Sequence, residues 1–373
     1  DWCRSRGIKV ILGGVHVTTM TEEALKHGDF VVKGEGEDAL VKILNGEAKP
    51  GIVTGKVIYK LDELPRLNRD LINMKYYQKG KDRTPGNHLH FVPPNKKLSA
   101  IFATRGCSFD CIFCHNNLRE LPVRVNSAHR IIEEMKGLED KYGTEYIFFM
   151  DDDLLFLKPR MREFCELYKK EGIKILWGCQ SKVTTLSDGD LDKNREYLQQ
   201  LKEAGCRQIT FGFEAGSDRV LAMLKNERAT LDQGRIAAKM VKESGILCCG
   251  SFMIGSPGET EEEIQVTKQF IIENDLDGFG VSITTAFPGT ELWNMCKEKG
   301  TIPDDVDWDK FSLNDLTWGL TNISKERMRE IHKEFLNLVM QRNPGMAPMN
   351  VIKVAMKHPV KALRRAWRNP EDV

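Results

Sequence analysis

Three cysteines carry the strongest chemical signal in the chain: Cys107, Cys111 and Cys114, in the run Cys107-Ser-Phe-Asp-Cys111-Ile-Phe-Cys114. Soft thiolates crowded on one loop suit iron–sulfur chemistry. A cluster used only for electron transfer normally has four cysteine ligands, so three leave a fourth iron open to a substrate or cofactor. Two other readings fit the same residues: a zinc ion completed by His115, or reduced cysteines holding no metal. Zinc sites usually pair two such ligands with two more further along, a partner set not found in this sequence. The chain has ten cysteines. The others are scattered singly or adjacent, as in Cys248-Cys249. In a chain of this size that favours a metal or cluster site in a reducing compartment over a disulfide framework. Cys165, Cys179, Cys206 and Cys296 read as small buried hydrophobes.

Such a loop needs a rigid frame. From Ser99 to about Gly300 the sequence repeats strand, loop and helix. The expected strands are Ser99–Ala103, Tyr146–Met150, Lys174–Gly178, Gln208–Phe213, Leu247–Ile254 and Gly278–Thr284. Amphipathic stretches separate them, for example Ile131, Met135, Leu138 and Tyr142 after a Ser127 N-cap. Short apolar strands, each followed by a helix, are the pattern of parallel strands buried on both faces. With right-handed crossovers, six such units make a curved sheet or an open (β/α) barrel of the α/β class. Chemistry in that architecture sits at the C-terminal strand ends, and the three-cysteine loop follows the first strand.

The other strand ends also carry capable residues. Asp151-Asp152-Asp153 follow the second strand, although acids are favoured at any helix N-terminus. Gln180, Ser181 and Lys182 follow the third. Gly212-Phe-Glu214-Ala-Gly216-Ser217 follows the fourth, where Glu214 could accept hydrogen bonds from hydroxyls or be a buried structural acid. Ile254-Gly-Ser-Pro-Gly-Glu-Thr260 follows the fifth; its plain reading is a Pro257-Gly258 turn and a Thr260 helix cap. Ala286-Phe-Pro-Gly-Thr290 closes the series.

Composition narrows the class. The chain has 373 residues, 41% hydrophobic, with a formal net charge of +1. It is long enough for two domains or one large barrel with attachments. Disorder and collagen-like structure are excluded, and no global charge draws it to nucleic acid or a membrane. The longest nearly apolar run, Ile246 to Gly255, is about half of what a membrane span requires. A soluble protein is expected.

The cysteine loop and the ordered strand ends resemble the radical S-adenosylmethionine (SAM) enzymes, whose signature is Cys-x3-Cys-x2-Cys after the first strand of a partial (β/α)6 barrel. Arg105-Gly106 before the first cysteine and Phe113 before the last match the family's usual loop. The resemblance covers roughly residues 99–300. It implies that Cys107, Cys111 and Cys114 hold a 4Fe–4S cluster whose open iron is chelated by the amine and carboxylate of SAM. Reduction cleaves SAM in that family, giving methionine and a 5′-deoxyadenosyl radical that abstracts hydrogen from substrate. The SAM contacts implied here are Phe113, Asp151, Asp152, Glu214, Ser217, Gly255 and Pro288. The acids would hold the amino group, Glu214 the ribose, the Gly255 segment the adenine, and Pro288 belongs to the closing loop.

Gly13-Gly14-Val-His16-Val-Thr18 and Gly34-Glu-Gly-Glu37, with Leu61-Asp-Glu-Leu-Pro65 ahead of the cysteine loop, resemble the cobalamin-binding subfamily of these enzymes. There a five-stranded Rossmann-like domain precedes the barrel. Residues 1–50 would be the C-terminal part of such a domain. Gly13, Gly14, Gly34, Glu35 and Gly36 would line the groove for cobalamin's nucleotide tail, at strand ends as open α/β sheets require. The chain opens Asp-Trp-Cys-Arg and contains no Asp-x-His-x-x-Gly loop, so weak cobalamin binding by these residues alone is expected. His16 is expected to start a helix or pack. Residues 51–98 read as a linker. Residues 301–373 read as a helical extension, with one helix after Ser324 and a basic tail from Asn350 to Asn369. The tail reads as a solvated terminal helix packed on the barrel, or as a contact for an anionic membrane surface.

The function so implied is that of a radical SAM enzyme, most commonly cobalamin-dependent methyl transfer to carbon. The substrate would be a small or lipid-like molecule and the electron donor a flavodoxin or ferredoxin, in an anaerobic cytoplasm. Ring closure or rearrangement in the same subfamily is the second expectation. An iron–sulfur electron-transfer or sensing protein is the third. No nucleic-acid partner is expected.

Overall fold

The computed structural model describes residues 2–78, 92–93, 96–115, 121–308, 311, 316 and 318–342; the basic tail lies outside the described residues. Two parallel sheets make the frame. The smaller has strands β1 (Ile11–Leu12), β2 (Phe30–Lys33) and β3 (Gly51–Thr54) in the order β1-β2-β3. Ile11 stands opposite Phe30, and Phe30 opposite Gly51. The expected linker over 51–98 therefore begins one strand too early. Gly-Ile-Val-Thr alternates half-buried and exposed over only four residues, too short a run for a period to stand out.

A short antiparallel ribbon, β5 (Thr104–Arg105) with β6 (Arg124–Val125), lies in the chain between the first two strands of the larger sheet. That sheet's strands are β4 (Leu98–Ile101), β7 (Tyr146–Phe149), β8 (Leu176–Ser181), β9 (Cys206–Glu214), β10 (Leu247–Ile254) and β11 (Gly278–Ile283). They run in chain order β4-β7-β8-β9-β10-β11, each parallel to its neighbour, with β4 and β11 as open edges. This is the expected open (β/α)6 half-barrel.

Local chemistry explains the elements. The Ser127 hydroxyl accepts the Arg130 N–H at 3.1 Å and starts the Ala128–Tyr142 helix, which Gly143 ends in the left-handed region. Ile131, Met135 and Leu138 of that helix are buried against the sheet. Between β9 and β10, Phe213 and Phe252 stack at 5.5 Å, and Phe270 and Phe279 close around them. The Lys325–Arg342 helix adds Met328, Ile331, Phe335 and Val339 to the same core.

Candidate active site

The three-cysteine loop is tied down from several sides. Its approach is fixed at Ala103, whose N–H donates to the Asp151 carboxylate at 3.0 Å and whose carbonyl accepts from Arg160 at 3.1 Å. The chain then crosses the ribbon and turns at Gly106, where a φ of +95° suits glycine. Within the loop, the Ile112 N–H donates to the Leu224 carbonyl at 3.1 Å, and the Ile112 carbonyl accepts from Leu292 N–H at 2.9 Å. Asn226 donates to Asp110 at 3.0 Å. His115 Nε2 donates to the Pro288 carbonyl at 3.0 Å. The connections after β9 and β11 thus hold the loop that follows β4.

Two lysines flank the thiols. Lys182, just beyond β8, reaches the Asp153 carboxylate at 3.3 Å and donates to Ser108 Oγ at 2.7 Å, with its ammonium 4.2 Å from the Phe109 ring. Lys225 is buried, 2.9 Å from Glu214 Oε1 and 5.7 Å from the Phe113 ring centre. Burial pulls the Lys225 ammonium down, but Glu214 and the Cys111 sulfur outweigh it and its pKa ends above the ordinary lysine value. Burial pushes the Cys111 thiol up to about 11, against the pull of Lys225. It raises Cys107 too, opposed by an N–H···S bond from Phe109 and by Lys182.

The strand-end residues divide by role. Of the three consecutive acids, Asp151 is buried on Ala103, and burial pushes it up to about 6 despite hydrogen bonds from Thr104 and Ala103. Asp153 is buried on Ser181, Thr185 and Lys182. Asp152 alone is exposed, close enough to Cys107 to act on its charge. Glu214 is turned to Lys225 beside the loop. Ser217 accepts the Val220 N–H as a helix cap and donates to Glu263 at 2.9 Å, so packing occupies its hydroxyl. At Gly255, the space a side chain would take is closed by Met328 Cε at 3.0 Å. Pro288 is buried, and its carbonyl serves His115. Sequence reasoning passed over Lys225, which lies on a helix beyond Glu214 with no motif to mark it. It also passed over Glu259, whose carboxylate accepts the Ser256 N–H at 2.9 Å and holds the turn after β10.

The N-terminal sheet faces this loop across a cleft of about 930 Å³. Gly14, Gly34, Glu35 and Gly55 line one wall; Arg105, Gly106, His115, Asp152 and Gly289 line the other. Gly13 and Gly36 stand outside the lining. His16 packs edge-on against Trp308 at 4.9 Å and pairs with Glu23, a packing role.

The donor set fits a cluster better than a single ion. Among the described residues no three His, Cys, Asp or Glu side chains converge as ligands of one ion would. In a four-iron cluster each thiolate binds a different iron, so no such convergence is needed. His115, the fourth ligand of the zinc reading, has its Nε2 on the Pro288 carbonyl.

Comparison with known proteins agrees. The Radical SAM superfamily matches residues 101–271. An uncharacterized methyltransferase of Pyrococcus horikoshii is 30% identical over 98% of this chain and 78% of its own length. The bacteriochlorophyllide d C-12(1)-methyltransferase of Chlorobaculum tepidum is 24% identical over 94% of this chain and 72% of its own. Among solved structures, the radical SAM methyltransferase TsrM of Kitasatospora setae, with cobalamin and a [4Fe-4S] cluster bound, superposes with a TM-score of 0.63 at 17% identity. That match covers 81% of this chain and 62% of TsrM. The chain belongs to the radical SAM superfamily. It is an enzyme of that superfamily, whose cofactors are a 4Fe–4S cluster and SAM, and the carrier or sensor reading is set aside.

Proposed function

We propose that this enzyme transfers a methyl group to a carbon atom of a small organic substrate, with cobalamin as the methyl carrier. The observation that carries the reading is the shared cleft, in which the glycine turns of the N-terminal sheet face the cysteine loop. The P. horikoshii and C. tepidum relatives are named methyltransferases, and the TsrM structure contains both cobalamin and a cluster. Ring closure has relatives as well, such as the anaerobic magnesium-protoporphyrin IX monomethyl ester cyclase of Rubrivivax gelatinosus, 24% identical over 82% of this chain but only 56% of its own length. The methyltransferase at 30% identity, matching nearly the whole chain, favours methyl transfer.

When bound, the reduced cluster supplies the electron that splits SAM, and cobalamin supplies the methyl group. Cys107, Cys111 and Cys114 would hold the cluster, and Lys182 and Lys225 would offset the charge of their thiolates. Asp152, the exposed acid of the three, would receive the amino group of SAM. Phe113 within that loop and Glu214 beside it would offer a ring face and a carboxylate to adenosine. Gly14 and Gly34 bring bare backbone to the opposite wall, where the tail of cobalamin would lie. Phe102 and Met150, both exposed in the cleft, would give it an apolar surface for a small or lipid-like substrate. A flavodoxin or ferredoxin in an oxygen-poor cytoplasm would supply the electron.

The test is anaerobic reconstitution with cluster and cobalamin, followed by mass analysis of products from methyl-labelled SAM. Label transferred to carbon of an organic acceptor supports the reading. Intramolecular ring closure with all label retained on SAM or methionine overturns it.

A further inference from the structure

We infer that Glu35 is a positioning residue for the cysteine loop, setting the ribbon that leads into Cys107 against the N-terminal sheet. The acidic glycine motif to which it belongs resembles a cofactor-binding turn, but its carboxylate is directed elsewhere. Glu35 Oε1 accepts from Arg105 at 3.1 Å and from Arg124 at 2.7 Å, and Oε2 accepts the Ile58 N–H at 2.7 Å. Burial alone would raise this carboxyl; the hydrogen bonds from Ile58, Arg124 and Arg105 outweigh it and hold Glu35 below the usual glutamate range.

The two arginines are cross-strand partners, Arg105 on β5 directly opposite Arg124 on β6. Like charges in that position repel and would open the ribbon. Arg124 is 5% exposed, so water screens it poorly. The Glu35 carboxylate, from the other module, bridges the two guanidinium groups and offsets one of their two charges. Its backbone is fixed as well: a Cβ on Gly55 would fall 1.6 Å from the Glu35 carbonyl oxygen, so the end of β3 is packed directly on it. Arg124 also donates to the Ile58 carbonyl at 2.8 Å. Glu37, paired with Arg105 at 2.5 Å, is more exposed and touches only one of the two. Gly106 and Cys107 follow Arg105 immediately, so a shift of the ribbon moves the first thiol.

The proposal rests on the superfamily's cluster and SAM and is independent of methyl transfer, so failure of the methyl-transfer reading leaves the following readouts intact. Glu35→Gln in the full chain should leave folded helix content and the reconstituted iron count unchanged. SAM affinity, measured by equilibrium dialysis, should fall on the order of tenfold. The electron paramagnetic resonance (EPR) signal of the reduced cluster should lose its single, homogeneous response to SAM. In a double-mutant cycle, Arg105→Gln should weaken SAM binding less in the Glu35→Gln background than in the wild type. If Glu35→Gln fails to fold, Glu35→Asp carries the test, because the shorter carboxylate cannot span both guanidinium groups and should give intermediate values. Wild-type affinity and an unchanged EPR response in either variant would overturn the assignment.

Discussion

The six-stranded sheet buries Phe149, Trp177, Phe211 and Phe252 completely, within one continuous core that reaches the Lys325–Arg342 helix. The three-stranded sheet, built from the same parallel strand–helix pattern, has a core of Phe30, Val32, Ala39 and Ile43. Its Glu37–Leu44 helix leaves Leu40, Val41 and Leu44 exposed, Leu44 at 71%. The two also differ in how they reach the cleft. The half-barrel positions its residues through apolar packing and backbone hydrogen bonds, as at Ile112. The small sheet is joined across the cleft by charge, through Glu35 and Glu37 on Arg105 and Arg124, and by the His16–Trp308 contact. Self-sufficient packing therefore frames the radical-forming site, whereas the facing wall takes its place through a few polar contacts.

The largest expected effect lies at the thiols. Replacing Cys107, Cys111 and Cys114 by Ala should abolish iron binding and all 5′-deoxyadenosine formation; residual formation would show that another site does the chemistry. Core truncations sharpen the comparison next. Phe252→Ala should destabilise the chain by about 3–5 kcal/mol in chemical denaturation. Phe30→Ala should raise hydrogen exchange over residues 8–54 while the half-barrel amides stay protected. An equal loss of protection in both sheets would remove the distinction.

A pH effect of intermediate size belongs to Glu259. Burial pushes its carboxyl up to about 7, and its Oε1 has no hydrogen-bond partner among the described residues. The folded chain thus holds this proton more tightly than the unfolded chain. Stability from it is full below about pH 4.5 and is lost as pH rises through 7. Glu259→Gln should flatten that part of the stability–pH curve; an unchanged slope would show the carboxylate to be satisfied in solution. The smallest effect is on the exposed face of the Glu37–Leu44 helix, where Leu44→Ser should change stability by no more than about 0.5 kcal/mol.

Much of the frame was legible because each half-barrel strand is a short apolar run bounded by turn residues, a signal that survives without tertiary information. The third strand of the small sheet was not, since four residues of Gly-Ile-Val-Thr carry no measurable period. Within the site, spacing located the cysteine loop. It could not apportion Asp151, Asp152 and Asp153, since adjacent residues at a strand end point in different directions and only packing decides which stays open. Ser217 had the type and position of a ligand contact, and the helix it caps took its hydroxyl. Glu35 was noticed through its glycine motif, but its arginine partners were not legible, because they lie some 70 and 89 residues away in sequence.

The central claim is that the glycine turns of the small sheet and the ends of the three-cysteine loop, at Gly106 and His115, line one cleft and serve one reaction. Its most direct test is EPR on the reconstituted protein carrying both a reduced cluster and cob(II)alamin. With cobalamin in excess, a corrinoid signal split or broadened by the nearby cluster spin, with the splitting absent in the triple cysteine variant, is the expected result. Two independent, unperturbed signals from a protein holding both cofactors would contradict it.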